Sequence, residues 1–295
     1  MLYFDHAATT PVHPKVVKKM EDVSRQDYGN PSSVYSSGRV AKSIIEDARS
    51  QIARMIDASP SEIYFTGSGT EANNIVLWSM LYNEKKHVIT SAIEHPAVLK
   101  VLEELQYFGI TFDVLPVDST GLVDPKDVEM AIKKDTGMIS IMYVNNEIGT
   151  IQSLQKLIEI SKKRSILFHS DCVQVIGKLP LSVLKIEADY MTFSAHKFYG
   201  PKGIGFLYRR KGAPLRPLVI GGGQESNIRA GTENISGIAG LGVAAKLADQ
   251  NLNSRIDHLF QLEKYFKNNI IQKLPHIIFN GNNDQHIPGL CSITI

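Results

Sequence analysis

Between residues 62 and 209, short apolar runs alternate with segments of helical periodicity. The apolar runs cover residues 63–66, 87–93, 111–117, 138–144, 166–171, 190–194 and 204–208, and helical patterns at 71–83, 96–108, 125–134 and 154–163 lie between most of them. This order predicts an α/β fold with a mainly parallel seven-stranded sheet and helices on both faces. Only a short turn separates the last two runs, which allows one of them to run antiparallel.

The segments on either side of this region add further elements, and those at the C-terminus predict a second, smaller domain. We predict helices over 14–27 and 38–57, a glycine- and proline-rich loop over 211–235, a mostly helical stretch over 235–274, and short strands at 277–279 and 290–295. The predicted division is an N-terminal arm (1–12) that packs with the small domain, a large domain (13–248) and the start of a small C-terminal domain (249–295).

Composition excludes several classes of protein. A hydrophobic fraction of 43%, a charged fraction of 21% and a net charge of +2 are typical of a globular domain without a strong nucleic-acid signal. The apolar stretches are strand-sized and the N-terminus lacks the pattern of a signal peptide, so we expect a cytoplasmic protein that does not enter a membrane. Two cysteines form neither a disulfide framework nor a four-thiolate metal site, and we predict no metal.

Lys197 is the first candidate for chemistry, because it follows the apolar run 190–194 in the segment SAHKFYGPKG. In open α/β sheets, reactive groups gather at the carboxyl ends of strands. A partly desolvated lysine at such a position acts as a nucleophilic amine. A surface lysine after a strand is the simpler alternative.

Three further positions carry chemistry in the same strand-end pattern. The glycine-rich turn 66–71 joins a strand to a helix, as anion sites do, although a helix cap by Thr70 is an alternative. Asp171 ends a strand, and a buried carboxylate needs a partner such as a cationic ligand. The alternative is that Asp171 caps the next turn. His95 precedes Pro96, which suits the first turn of a helix, so His95 is either a cap or a functional imidazole.

Seven motifs, found in order along the chain, give these positions a common context. They are YFDHAATTP, FTGSGTEANN, SAIEHPAV, YVNNEIGT, FHSDCVQ, SAHKFYGPKG and GGGQESNIRAGTEN. Together they resemble the cysteine desulfurases of the NifS/IscS type, which belong to the class V aminotransferase group. The resemblance runs from residue 2 to residue 295 and implies the fold type I of pyridoxal 5'-phosphate (PLP) dependent transferases.

The resemblance implies a role for each candidate. Lys197 would hold the PLP aldehyde and move protons at the substrate, and His95 would stack on the cofactor ring. The other implied cofactor contacts are Gly69, Thr70, Ser194 and His196 at the phosphate, Asp171 at the ring nitrogen, Gln174 at the ring 3-oxygen and Asn146 beside the ring. Thr232, in the long loop, would reach the PLP phosphate of the neighbouring subunit, which implies a homodimer.

The implied activity is desulfuration of L-cysteine to L-alanine. Sulfur would leave as a persulfide for an iron–sulfur scaffold, tRNA thiolation or another acceptor protein. Alternatives are a selenocysteine lyase, a small-amino-acid transaminase, or a non-catalytic PLP-binding dimer.

The two cysteines are not assigned as the nucleophile. The family's nucleophilic cysteine and carboxylate-binding arginine lie beyond the position that matches Ile295, so we expect a truncated small domain. We predict that Cys172 is a buried core thiol and that Cys291 falls within a strand. We therefore expect this chain to bind PLP and to be a weak desulfurase.

Overall fold

A seven-stranded sheet forms the centre of the computed structural model, which describes residues 2–295. Its strands are β1 (Ile63–Thr66), β2 (His87–Ser91), β3 (Thr111–Leu115), β4 (Thr136–Ser140), β5 (Leu167–Asp171), β6 (Tyr190–Ser194) and β7 (Gly205–Arg209). They lie in the order β1-β7-β6-β5-β4-β2-β3. Strand β7 is antiparallel to both neighbours, while the other pairs are parallel. The predicted sheet is confirmed, including the antiparallel member of the last pair.

Helices cover both faces of the sheet, as predicted. They are α1 (Pro14–Gln26), α2 (Ser36–Met55), α3 (Gly69–Trp78), α4 (Pro96–Leu105), α5 (Pro125–Ala131), α6 (Leu154–Lys163), α7 (Val183–Ile186), α8 (Ile235–Gln250) and α9 (Leu252–Lys273). Side chains alternate along β1, so Ile63 and Phe65 join the apolar cluster of α1, α2, α6 and α8. Tyr64 joins the cluster of α3 and α4 on the opposite face.

Close packing holds α8 against α2. A Cβ at Gly242 would lie 2.7 Å from the Cβ of Ala48, so only glycine permits this helix separation. Ile45, Ile52 and Leu241, which are 3% exposed or less, fill the contact between these helices and the sheet. The burial of three aliphatic side chains of this size contributes about 1.5–3 kcal/mol each.

The C-terminal residues form a small separate sheet, in which β8 (Ile278–Asn280) pairs with β9 (Ser292–Thr294). Backbone hydrogen bonds from Ile151 N to Gln285 O (2.8 Å) and from Ile287 N to Gly149 O (3.0 Å) join this region to the segment between β4 and α6. Within residues 2–295, no helix is long and apolar enough to cross a membrane.

The N-terminal arm packs beside the segment that follows β6. Thr10 N donates to His196 O at 2.9 Å, and Thr10 Oγ1 accepts from Tyr199 N at 2.7 Å. These bonds join the arm to residues that we assigned to the large domain. The division of the chain into domains stays a prediction.

Candidate active site

One cavity of about 1060 Å³ brings most of the predicted site residues together. Residues that end or follow β4, β5 and β6 line it, as expected for an α/β sheet. Nine of the predicted residues are in its wall: Gly69, Thr70, His95, Asn146, Asp171, Gln174, Ser194, His196 and Lys197. Thr232 does not line it. Their roles toward a cofactor stay predictions.

Lys197 enters the cavity because the buried strand β6 ends in a single 3-10 turn, Ala195–Lys197. Its Nζ donates hydrogen bonds to the carbonyl oxygens of Ala7 (2.7 Å) and Ala8 (2.8 Å) in the N-terminal arm. Burial lowers the pKa of Lys197, although the charge of Asp171 opposes this shift. A lysine whose ammonium form is disfavoured is suited to the nucleophilic role that the sequence predicts, and that role stays a prediction.

Asp171, at the end of β5, is 5% exposed and carries the buried carboxylate of the cavity. Asn73 Nδ2 donates to Oδ2 at 2.7 Å, and Val173 N donates to Oδ1 at 3.0 Å. Burial raises the pKa of Asp171, and these two donors oppose that rise. A carboxylate held in this way stabilises a cationic partner, because an unpaired charge is costly to bury.

Helix α3 begins at the cavity with Gly69, and Ser68 caps it by accepting a hydrogen bond from Glu71 N at 3.0 Å. The first N–H groups of a helix have no partner within it and attract anions. A Cβ at Gly69 would lie 2.6 Å from Cγ2 of Val173, so a side chain does not fit there. The turn therefore brings bare backbone to the cavity, as a phosphate site requires.

His95 caps a helix and also lines the cavity, so a capping role does not exclude a functional one. Its Nδ1 accepts a hydrogen bond from Ala97 N at 3.0 Å at the start of α4. Because Nδ1 is the acceptor, the proton of the neutral ring lies on Nε2. The free edge of this ring can therefore donate a proton.

His196 lies beside Lys197 and stays neutral. Burial, together with the charges of Lys197 and Lys202, lowers the pKa of His196 to about 4. Its Nδ1 is 3.0 Å from Oγ1 of Thr9. A neutral imidazole in the cavity wall can donate or accept one further hydrogen bond, and its predicted contact with a phosphate stays a prediction.

The loop that carries Thr232 is attached to the body by two ion pairs. Arg49 Nη2 is 2.7 Å from Glu225 Oε1, and Arg229 Nε is 2.8 Å from Glu71 Oε1. Three consecutive residues, 225–227, have left-handed backbone with φ between 45° and 65°, a conformation unfavourable for non-glycine residues. Thr232 itself is exposed. The loop is thus tied to the body of the molecule, while Thr232 lies outside this chain's own cavity.

The two cysteines differ in position. Cys172 is fully buried, as predicted, and burial raises the pKa of its thiol. Cys291 lies directly before β9, which corrects its predicted place within the strand, and it lines the cavity. Burial also raises the pKa of the Cys291 thiol. Neither thiol has the lowered pKa of a reactive cysteine.

Asn73, Lys178 and Arg255 are among the cavity residues that the sequence did not predict as part of the site. Asn73 lies one helical turn after Gly69, and this spacing was a usable signal. Lys178 and Arg255 also line the cavity. No local pattern marks them, because Lys178 lies in an irregular turn and Arg255 comes from α9, far along the chain.

The residues present fit PLP. An amine at Lys197, a buried carboxylate at Asp171, the flat imidazole of His95 and the bare helix start at Gly69 match the aldehyde, ring nitrogen, ring face and phosphate of the cofactor.

Comparison with known proteins supports this interpretation. The family model "Aminotransferase class-V" matches residues 2–295. The chain is 44% identical over 291 residues to "Cysteine desulfurase IscS" of Dictyoglomus turgidum, covering 98% of this chain and 74% of that protein. A solved structure titled "NIFS-LIKE PROTEIN" superimposes with a TM-score of 0.94 and 40% identity, over 97% of this chain and 80% of the other. Another, titled "SspA in complex with cysteine", has a TM-score of 0.81 and 39% identity, over 83% and 72%.

Fold, site and family match together define a class V aminotransferase, and the chain belongs to this family of PLP-dependent enzymes. Within the family, it is similar to the cysteine desulfurases of the NifS and IscS type.

Proposed function

We propose that this chain is a PLP-dependent cysteine desulfurase whose active site is the cavity around Lys197. The observation that carries the proposal is the placement of an amine of lowered pKa and a buried carboxylate, Lys197 and Asp171, in one cavity at the ends of adjacent strands. PLP would give both groups a partner, because Asp171 would pair with its cationic ring and Lys197 would bind its aldehyde.

When bound, PLP supplies an electron sink that stabilises negative charge at the α-carbon of an amino acid. Lys197 Nζ would remove and return the proton at this carbon, since its lowered pKa leaves more of the amine unprotonated. Asp171 would keep the proton on the ring nitrogen. His95, with its proton on Nε2, would donate a proton at the substrate.

We propose L-cysteine as the substrate. Support comes from the similarity to cysteine desulfurases and to a structure described as a complex with cysteine. The C–S bond would break, the carbon skeleton would leave as L-alanine, and the sulfur would pass to a thiolate as a persulfide. A sulfur-acceptor protein or an iron–sulfur scaffold is the proposed next carrier, in the cytoplasm.

We also propose a homodimer with shared sites. Thr232 is exposed and outside its own cavity, on a loop that two ion pairs hold in an otherwise unfavourable conformation. A second copy that receives Thr232 beside its own Gly69 and Thr70 would give this exposed hydroxyl a phosphate to bind.

Product analysis tests the activity. The PLP-loaded protein is incubated with L-cysteine and a thiol reductant, and sulfide and alanine are measured. Equimolar sulfide and alanine support a desulfurase. Products formed only from selenocysteine would identify a selenocysteine lyase instead. Transfer of the amino group to a keto acid without sulfide would identify a small-amino-acid transaminase. The weak turnover expected from the sequence stays a prediction.

A further inference from the structure

Lys178 is a cavity residue for which the proposed chemistry has no use. It follows Gly177, whose φ of +75° turns the chain after β5 and brings residues 174–178 back beside the cavity. The guanidinium of Arg255 packs at this turn, since a Cβ at Gly177 would lie 2.7 Å from Arg255 Nη1. Arg255 also stacks over the ring of Tyr199 at 4.8 Å.

The only hydrogen bond of the Lys178 ammonium within residues 2–295 goes to Oε1 of Gln174. No carboxylate lies within ion-pair distance of it in that range. The charged groups that act on it are instead Lys197 and Arg255, both cations. Burial, and then these two like charges, lower the pKa of Lys178 to about 7. Protonation of an amine in these surroundings is therefore unfavourable, and the one hydrogen bond to Gln174 offsets only part of that free energy.

In its ammonium form Lys178 has donors only, whereas the two ends of a glutamine amide differ, one accepting and one donating. Contact with Lys178 therefore selects Oε1 of Gln174 and turns Nε2 the other way. That Nε2 donates to the carbonyl oxygen of Ala7 at 2.9 Å, and the same oxygen accepts from Lys197 Nζ at 2.7 Å. A chain of hydrogen bonds thus runs from Lys178 through Gln174 and the N-terminal arm to Lys197.

We propose that Lys178 is a positioning residue that fixes the amide of Gln174, so that its Nε2 is always the group facing the arm and the cofactor space. This inference rests on the proposed PLP site. Without Lys178, the amide can rotate and present Oε1, an acceptor, to groups that are themselves acceptors: the Ala7 carbonyl and the 3-oxygen of PLP. Repulsion would then loosen the arm in the apo protein and weaken the cofactor in the loaded one.

The first test uses the apo protein and needs no cofactor. Lys178→Met keeps the length of the side chain and removes its donor, while Lys178→Arg keeps a donor. Hydrogen–deuterium exchange of the peptide covering residues 2–10 should be faster in Lys178→Met, near the wild-type rate in Lys178→Arg and unchanged in Lys185→Met, an exposed control. Equal exchange in all four proteins would overturn the proposal.

The second test uses the PLP-loaded protein. Lys178→Met should bind PLP roughly tenfold more weakly, the effect of about one hydrogen bond, and should shift the absorbance maximum of the cofactor. In a Gln174→Leu background, Lys178→Met should have no further effect on either quantity, because Lys178 acts through Gln174. Additive losses, or an unchanged spectrum in a folded Lys178→Met protein, would contradict the inference. If the wild type itself carries no PLP on Lys197, the proposed function fails, while the exchange test still stands.

Discussion

Asn73 Nδ2 lies 2.7 Å from Oδ2 of Asp171, and this contact joins helix α3, which begins at the cavity, to the buried carboxylate at the end of β5. Asn73 is 1% exposed, and its own Oδ1 accepts a hydrogen bond from Thr192 Oγ1 on β6 at 2.5 Å. The neighbouring strand therefore fixes the amide in the orientation that donates to Asp171. The orientation of the carboxylate is thus set by the fold before any cofactor binds.

Asn73→Ala should weaken PLP binding and slow proton removal at the substrate α-carbon. A hydrogen bond to a charged group contributes about 1.5–3 kcal/mol, so a loss of roughly tenfold to a hundredfold is expected. Cofactor affinity and α-proton exchange measure it. Asn269→Ala, an exposed change on α9, is the matched control and should leave both quantities unchanged. Wild-type values for Asn73→Ala would show that Asp171 is oriented without it.

Asp171→Asn should retain some cofactor but lose most of the chemistry, because a neutral amide does not hold a proton on the ring nitrogen by charge. One pKa unit corresponds to about 1.4 kcal/mol, so a fall of two units in the ring-nitrogen pKa would lower α-proton exchange by roughly a hundredfold. The exchange rate is measured from the loss of the substrate's α-proton NMR signal in deuterated buffer. Near-normal exchange would refute the assigned role of the carboxylate.

Glu94 offers a test of stability rather than activity. Its Oε1 accepts hydrogen bonds from Ser91 Oγ (2.7 Å) and Met142 N (2.8 Å), whereas its buried Oε2 has no partner among the described residues. Burial raises the pKa of Glu94 from 4.5 to about 8. The folded state therefore keeps the proton that the unfolded state releases, so this group's contribution to stability falls as pH rises from about 4.5 to 8.

Glu94→Gln removes this titration and should become increasingly stable relative to the wild type between pH 6 and pH 8. The difference should grow by about 1.4 kcal/mol per pH unit at most. Urea unfolding of both proteins at several pH values measures it. A difference that does not change with pH would mean that Glu94 is ionised in the folded protein.

The same residue shows where prediction from the sequence ended. The expected strand 87–93 stops at Ser91, because the chain turns at 92–93 to bring Glu94 back to Ser91. The expected strand 138–144 spans Thr136–Ser140 instead, and Met142 N bonds the Glu94 carboxyl rather than a neighbouring strand. The apolar pattern predicts the position of these two strands, but not their ends, which lie where Ser91 and Met142 N bond the buried Glu94 carboxyl.

Strand-end residues were the predictable part of the site. Asp171 and Lys197 each follow an apolar run, and parallel strands bring such ends to one edge of the sheet. Arg255 and the arm carbonyl of Ala7 reach the same cavity through contacts between distant parts of the chain. No local periodicity encodes those contacts.

Thr232 should complete the site of the partner subunit. Thr232→Ala homodimers should lose PLP, and Lys197→Ala homodimers should carry none that is covalently held. A mixed dimer has one site with both an intact Lys197 and a Thr232 from the other chain, so it should regain one covalently held PLP. Light scattering that gives a monomer mass with PLP fully bound, or a mixed dimer without recovery, would contradict shared sites.

The assignment of the active site is tested most directly by finding which residue holds PLP covalently. The purified protein, loaded with PLP, should absorb near the violet edge of the visible range and lose this band on borohydride reduction. Peptide mass spectrometry should then place the reduced cofactor on the Lys197 side chain, and Lys197→Ala should give no reducible band. A reducible band in Lys197→Ala, or cofactor found on Lys178 or Lys202 in the wild type, would contradict the assignment of the active site.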